Sequence, residues 1–366
     1  MKMRQVLKNV ALVNGEYKDI VFENGLIVEI TTNYKGSARI VHIPNNCFVS
    51  PGWIDIHTHA FPKYPPYHAR PDEIGFQTGV TTVVDAGTCG ADHLEEFYNL
   101  ALNSKTRVLA FLNISRIGLK EINELSNLEN ISLEAIEAAY EKFPDFIVGL
   151  KARMSASVVG NSGIKPLEMA KSIAKSLDLP VMVHIGRSPP KIEEILALLE
   201  RGDIVTHCFN GKANKVITEN GLPLQGLLDA INRGVALDIG HGTESFSFAV
   251  AKQAHKAKIR FDSISTDIYN ENKKNGPVYD MATTLTKFLA LGYPLPEIIN
   301  AVTERPAELI NRCELGHLKE GAVADFTFFK IIDKEIQLID SYGNTISYPK
   351  YIKTCGVMIG GELIEF

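Results

Sequence analysis

The sequence predicts an α/β protein: a (β/α)8, TIM-type barrel carrying a small composite β-sandwich domain built from both chain ends. Three observations predict it. Over about 260 central residues, eight short apolar runs, most closing on a polar residue or glycine, alternate with mostly amphipathic helix-length segments. Both chain ends are instead made of short strand-like runs separated by turn dipeptides. Neither end carries enough apolar surface to fold alone, so pairing the two is the economical arrangement.

At the N-terminal end, the runs at 10–13, 19–22 and 26–30 are separated by Asn14-Gly15 and Asn24-Gly25, dipeptides suited to two-residue hairpin turns. The eight barrel runs follow at 53–59, 81–87, 108–113, 146–153, 181–186, 204–209, 235–241 and 264–268. Helices are expected between them, for example over 166–177, 191–200 and 246–258, where apolar residues recur at i, i+3 and i+4. A doubly wound open sheet uses the same alternation. No Gly-x-Gly-x-x-Gly follows the first run, however, so a dinucleotide fold lacks its fingerprint and the barrel is preferred. Strand grammar returns at 324–329, 335–339 and 356–360, with Gly343-Asn344 between the last two. The expected division is therefore a composite sandwich of 1–52 and 316–366 around a barrel of 53–315.

Composition narrows the function. The chain has 38 Lys and Arg against 43 Asp and Glu, a net charge of −5, with 45% hydrophobic and 22% charged residues. That is globular usage with no basic stripe, so neither nucleic acid nor an anionic membrane is an expected partner. No apolar run approaches a membrane span. The basic start Met1-Lys2-Met3-Arg4 leads into an apolar stretch that Lys8 interrupts, which excludes a signal peptide. Five scattered cysteines without a Cys-x-x-Cys suit a reducing compartment, and the expected location is the cytoplasm.

Barrel chemistry gathers at the C-terminal ends of the strands. There the first run ends Asp55-Ile-His57-Thr-His59, the fourth carries Lys151 and Arg153, the fifth His184, the sixth His207 and the eighth Asp267. Strand side chains alternate, so His57 and His59 share a face, as do Lys151 and Arg153. Singly, each has a structural reading: His184 as a satisfied polar residue, Asp267 as a helix cap, Lys151 as an inward lysine paired with a carboxylate. Their coincidence on five strand ends favours a metal site. His42, His68, His93, His255 and His317 have no such placement and read as loop or surface residues.

An ammonium at Lys151 would be repelled by two cations, whereas a neutral amine can take up CO2 and become a bridging carbamate. Four imidazoles, a carboxylate and a carbamate then complete a set for two divalent metal ions of the zinc type, Zn2+. Asp55 either supports the ligands from behind or hydrogen-bonds within the barrel floor. Arg153 stands about 6.6 Å beyond Lys151 on the same face, and its planar fork suits a substrate carboxylate. An ion pair with an acidic neighbour is the alternative. His241, in Gly240-His-Gly242, and Asn210, just past His207, are further candidates for substrate binding at the rim.

The motifs Pro51-Gly-Trp-Ile-Asp-Ile-His-Thr-His59, Gly149-Leu-Lys151, Val183-His184, Thr206-His207 and Ser265-Thr-Asp267, with Gly316-His-Leu-Lys-Glu-Gly-Ala-Val-Ala-Asp325 near the C-terminus, resemble the amidohydrolase superfamily over essentially the whole chain. Lys151-Ala-Arg-Met-Ser155, Thr206-His-Cys-Phe-Asn-Gly211, Asp238-Ile-Gly-His-Gly242 and Ser263-Ile-Ser-Thr-Asp-Ile268 resemble its dihydroorotase-like group named deacetylases, some of which carry the older label adenine deaminase. The resemblance implies one metal on His57, His59 and Asp267, a second on His184 and His207, and a carbamylated Lys151 bridging them. It implies a bridging hydroxide as nucleophile and Asp267 as the proton carrier. Dihydroorotases place an arginine two residues after the second His. Phe61 stands there instead, which turns the expectation away from orotate chemistry.

The expected activity is hydrolytic removal of an acyl group, from an ester or amide of a small carboxylate-bearing molecule. Cyclic-amide hydrolysis of the dihydroorotase or hydantoinase kind, deamination, and an inactive scaffold on the same fold are the alternatives. The small-molecule substrate is the expected partner, and the chain is compatible with a homo-oligomer.

Overall fold

In the computed structural model, which describes residues 4–366, the two chain ends meet in one sheet. The N-terminal part supplies β1 (Gln5–Leu12), β2 (Tyr17–Glu23), β3 (Leu26–Thr31), β4 (Arg39–Ile40) and β5 (Phe48–Pro51). The C-terminal part supplies strands over Phe326–Ile339, Thr345–Ile359 and Glu362–Glu365. Both Asn24 and Gly25 take positive φ, as a tight hairpin between β2 and β3 requires. Lys8, which breaks the first apolar run in sequence, is an outward residue of β1 whose amine reaches Asp19 at 2.6 Å. Met1 to Met3, on which the reading of the basic start rests, lie outside the described residues.

The second sheet is parallel and follows chain order: β6 (Trp53–Thr58), β7 (Val80–Ala86), β8 (Arg107–Asn113), β9 (Ile147–Met154), β10 (Val181–Ile185), β11 (Ile204–Thr206) and β12 (Ala236–Asp238). The C-terminal strands are then β13 (Phe326–Ile339), β14 (Thr345–Ile359) and β15 (Glu362–Glu365), and the mixed sheet runs β15-β14-β13-β5-β1-β2-β3, with β4 beside β1. The mixed sheet buries Leu7, Ile20, Phe22, Val49, Phe326 and Phe328, and Phe22 meets Phe326 edge-on at 6.3 Å. Apolar residues from the two ends thus form one core.

Seven of the eight expected barrel runs are strands. The eighth, 264–268, is not. It is an extended segment held between β12 and β6 by single bridges, Asp238 to Ser263 and Thr58 to Ile268. Side chains do much of the ladder's work there. Ser263 and Ser265 donate to the Asp238 carboxylate, and Thr266 donates to Asp55 through both its backbone N–H and its hydroxyl. Asp267 then leaves the β region altogether, at φ +50°. A run of Ile, Ser, Thr, Asp and Ile therefore closes the ring without being a regular strand.

Candidate metal and substrate site

His57, next to last in strand β6, is oriented from behind. Its Nδ1 lies 2.7 Å from Thr206 Oγ1, whose proton goes to Asp238 Oδ2 at 2.6 Å. The imidazole must therefore donate through Nδ1, leaving a lone pair on Nε2. That Nε2 faces Lys151 Nζ at 3.2 Å and Asp267 Oδ1 at 3.5 Å. His207 is fixed in the same sense, because Nδ1 donates to the Gly240 carbonyl at 2.6 Å. Its Nε2 meets His184 Nδ1 at 2.8 Å, and the His57 and His207 rings are 5.0 Å apart. His59 Nδ1 sits 2.7 Å from the Thr88 hydroxyl.

All six expected ligands thus meet in one cluster. Burial holds His57, His184 and His207 well below the ordinary imidazole range, so these rings are neutral donors. Burial also lowers the Lys151 amine to about 7, against the pull of the Asp267 and Asp238 carboxylates. Asp267 runs the other way: burial raises its carboxyl, but His57 and His59 outweigh that and hold it well below the usual carboxylate range.

Close backbone approach makes this possible. A Cβ on Gly242, which has φ +55°, would stand 2.3 Å from Asp267 Oδ2, and one on Gly87 would stand 2.7 Å from the Lys151 side chain. Asp55 accepts from the His57 and Thr266 backbone, so it hydrogen-bonds within the barrel floor.

Asp267 Oδ1 carries the chemical message. It is buried and lies 3.0 Å from His59 Nε2, yet no donor is aligned to hydrogen-bond it. An orphaned buried carboxylate oxygen is costly in a folded protein unless something positive meets it. One ligand atom each from His57, His207 and Asp267 lies within 4.8 Å of the others, a group that could hold a metal ion.

A cavity of about 140 Å³ opens above, lined by His59, His184 and Asp267 from the cluster and by Arg153, Tyr67, Lys212 and Tyr269 around them. Arg153 does reach this lining, but its Nη1 is spent on Glu124, with both carboxylate oxygens within 3.2 Å and Glu124 fully buried. The ion pair that sequence offered as the alternative does form, through Nη1, while Arg153 still lines the cavity.

His241 and Asn210 are not in the lining. The His241 ring is buried, stacked on Phe246 at 4.7 Å, with Nε2 2.8 Å from Lys287 Nζ. Asn210 is also buried. It accepts from the Lys212 backbone N–H at 2.9 Å and donates to the His207 carbonyl at 3.0 Å, shaping the turn after His207. Phe61 packs against Phe97 at 5.0 Å, outside the lining.

Among the residues near the site that went unremarked in sequence are Glu124, Lys212, Tyr67 and Tyr269. Tyr269 was within reach of the same alternation argument, being two residues past Asp267. The others come from irregular loops, where no period points inward.

The amidohydrolase family model matches residues 48–364. A relative named deacetylase, from Enterococcus faecalis, is 44% identical over 363 residues, covering 98% of both chains. A solved structure described as an adenine deaminase is 44% identical with TM-score 0.97, covering 99% of each chain. Another, described as a dihydroorotase, is 35% identical with TM-score 0.88, covering 100% of this chain and 98% of its own.

Proposed function

Because the chain belongs to the amidohydrolase family and is a hydrolytic enzyme, we propose that it removes an acyl group from an ester or amide of a small carboxylate-bearing molecule. The observation that carries this reading is the orphaned Asp267 Oδ1, set among buried neutral imidazoles on the floor of a small cavity. His57, His59 and Asp267 would hold one divalent ion, and His184 and His207 a second, with Lys151 joining them as a carbamate. The two ions, zinc by the chemistry of this donor set, would supply an activated water and polarise the scissile carbonyl.

The chain's own residues do the rest. The Asp238–Thr206 relay fixes the tautomer of His57. A near-neutral amine at Lys151 is the form that adds CO2. Asp267, held ionised, takes the proton of the attacking water and returns it to the leaving alcohol or amine. The domain division at 52/53 and 315/316, and a cytoplasmic setting, belong to the same proposal.

Two relatives carry names for other reactions, deamination and dihydroorotate chemistry. Phe61 stands where dihydroorotases place an arginine, which disfavours the second. A panel of O-acyl and N-acyl acids, cyclic imides and adenine, assayed on protein reconstituted with zinc and bicarbonate, separates them. Release of carboxylic acid from the acyl compounds is expected. Turnover confined to the imides, or ammonia released from adenine, would replace this reading.

A further inference from the structure

The charges lining the cavity do not balance in pairs. Arg153 and Glu124 neutralise each other as a buried pair. Asp267 is turned to the imidazoles, and Glu244 stands exposed at the rim, where water screens it. That leaves Lys212. Among the described residues, its ammonium has no carboxylate within 4.0 Å and makes no hydrogen bond, although the side chain lines the cavity with His184 and Asp267. Burial lowers its amine, and Arg187 and Arg153 push the same way, while Glu244 and Asp267 pull it up.

Its placement is built rather than loose. Asn210 accepts the Lys212 backbone N–H at 2.9 Å, and the preceding Gly211 N–H donates to the Tyr342 hydroxyl at 2.8 Å. Tyr342 in turn donates to the Glu244 carbonyl at 3.0 Å. A loop pinned from two sides thus presents one unpaired cation to the cavity.

We propose that Lys212 receives the carboxylate of the substrate. This deepens the hydrolase reading above and rests on it for the identity of the reacting molecule. An unpaired cation in the cavity lining fits one substrate carboxylate. A lysine ammonium meets a carboxylate as a point charge, and Lys212 lacks the acidic partner that Arg153 has in Glu124.

The test uses matched probes: acetoxyacetate and its neutral isostere acetoxyacetamide for turnover, and glycolate and glycolamide for binding, all on the reconstituted protein. In Lys212→Met, the ratio of kcat/KM for the charged over the neutral acetoxy compound should fall roughly 10- to 150-fold, the loss of one charge-assisted contact. Glycolate affinity should weaken by a similar factor relative to glycolamide, and Lys212→Arg should retain most of both ratios. Ratios unchanged in Lys212→Met would overturn the proposal. The binding arm needs no turnover, so absence of acyl hydrolysis in the unsubstituted enzyme would sink the hydrolase reading while still testing Lys212.

Discussion

Arg153 shows what one residue's partner decides. Its place on the inward face of β9 follows from alternation, two positions past Lys151. Its role turns on Glu124, which lies 29 residues upstream in an irregular connection and is brought to it only by the fold. No sequence period links the two, so the sequence alone could not give the ion pair that the fold forms. The metal-binding candidates were legible for the opposite reason: each lies in or next to an apolar run that announces it, and the six meet in one cluster. Removing one member of a buried pair leaves the other uncompensated, at about 3–5 kcal/mol. Arg153→Met should lose stability on that order in chemical denaturation, and adding Glu124→Gln should recover part of it. A single variant as stable as the parent would mean the pair contributes nothing.

At the scale of elements, the eighth run shows where periodicity stops being a guide. Its apolar positions are few, its serines and threonine add side-chain bonds to Asp238 and Asp55 beside the backbone ones, and Asp267 stands at a conformation no strand allows. The converse error occurs in β13 and β14, which run 14 and 15 residues where sequence marks shorter pieces. Charged positions such as Asp333 and Lys334 read as a break, but a bulge carries the pairing past them.

The helix Met281–Ala290 brings a group that the sequence did not single out. Lys287 is buried against His241, and burial lowers its amine to about 7 from an ordinary 10.5. Between those values the unfolded chain binds more protons than the folded one, so this group's contribution favours folding increasingly as pH rises. Melting temperatures of the parent and Lys287→Met, compared at pH 7 and at about 9.5, should shift in the parent's favour at the higher pH. A difference that ignores pH would place the charged amine in the folded state.

For the whole molecule, the mixed sheet is fastened to the barrel rather than appended to it. Trp53, the only tryptophan, begins β6 and packs on Phe329 of β13 at 5.5 Å, while Thr327 bonds both the Trp53 N–H and the Gly79 carbonyl. Phe329, Leu338 and Ile352 belong to the barrel's own apolar cluster. Phe329→Ala should therefore cost about 3–5 kcal/mol. Trp53 fluorescence and far-ultraviolet circular dichroism should follow one melting curve, and an earlier fluorescence transition would show the sheet detaching alone. The pairing of the chain ends was legible because neither end could bury itself; the fastening was not, since it depends on side chains meeting across more than 270 residues.

What unites the three scales is a fold that brings six side chains from five barrel segments to a single cluster. The most direct measurement of that claim is metal content per chain after reconstitution with zinc and bicarbonate. Two ions per chain are expected in the parent. A stoichiometry that never exceeds one, at any zinc concentration that leaves the protein folded, would contradict the two-metal site.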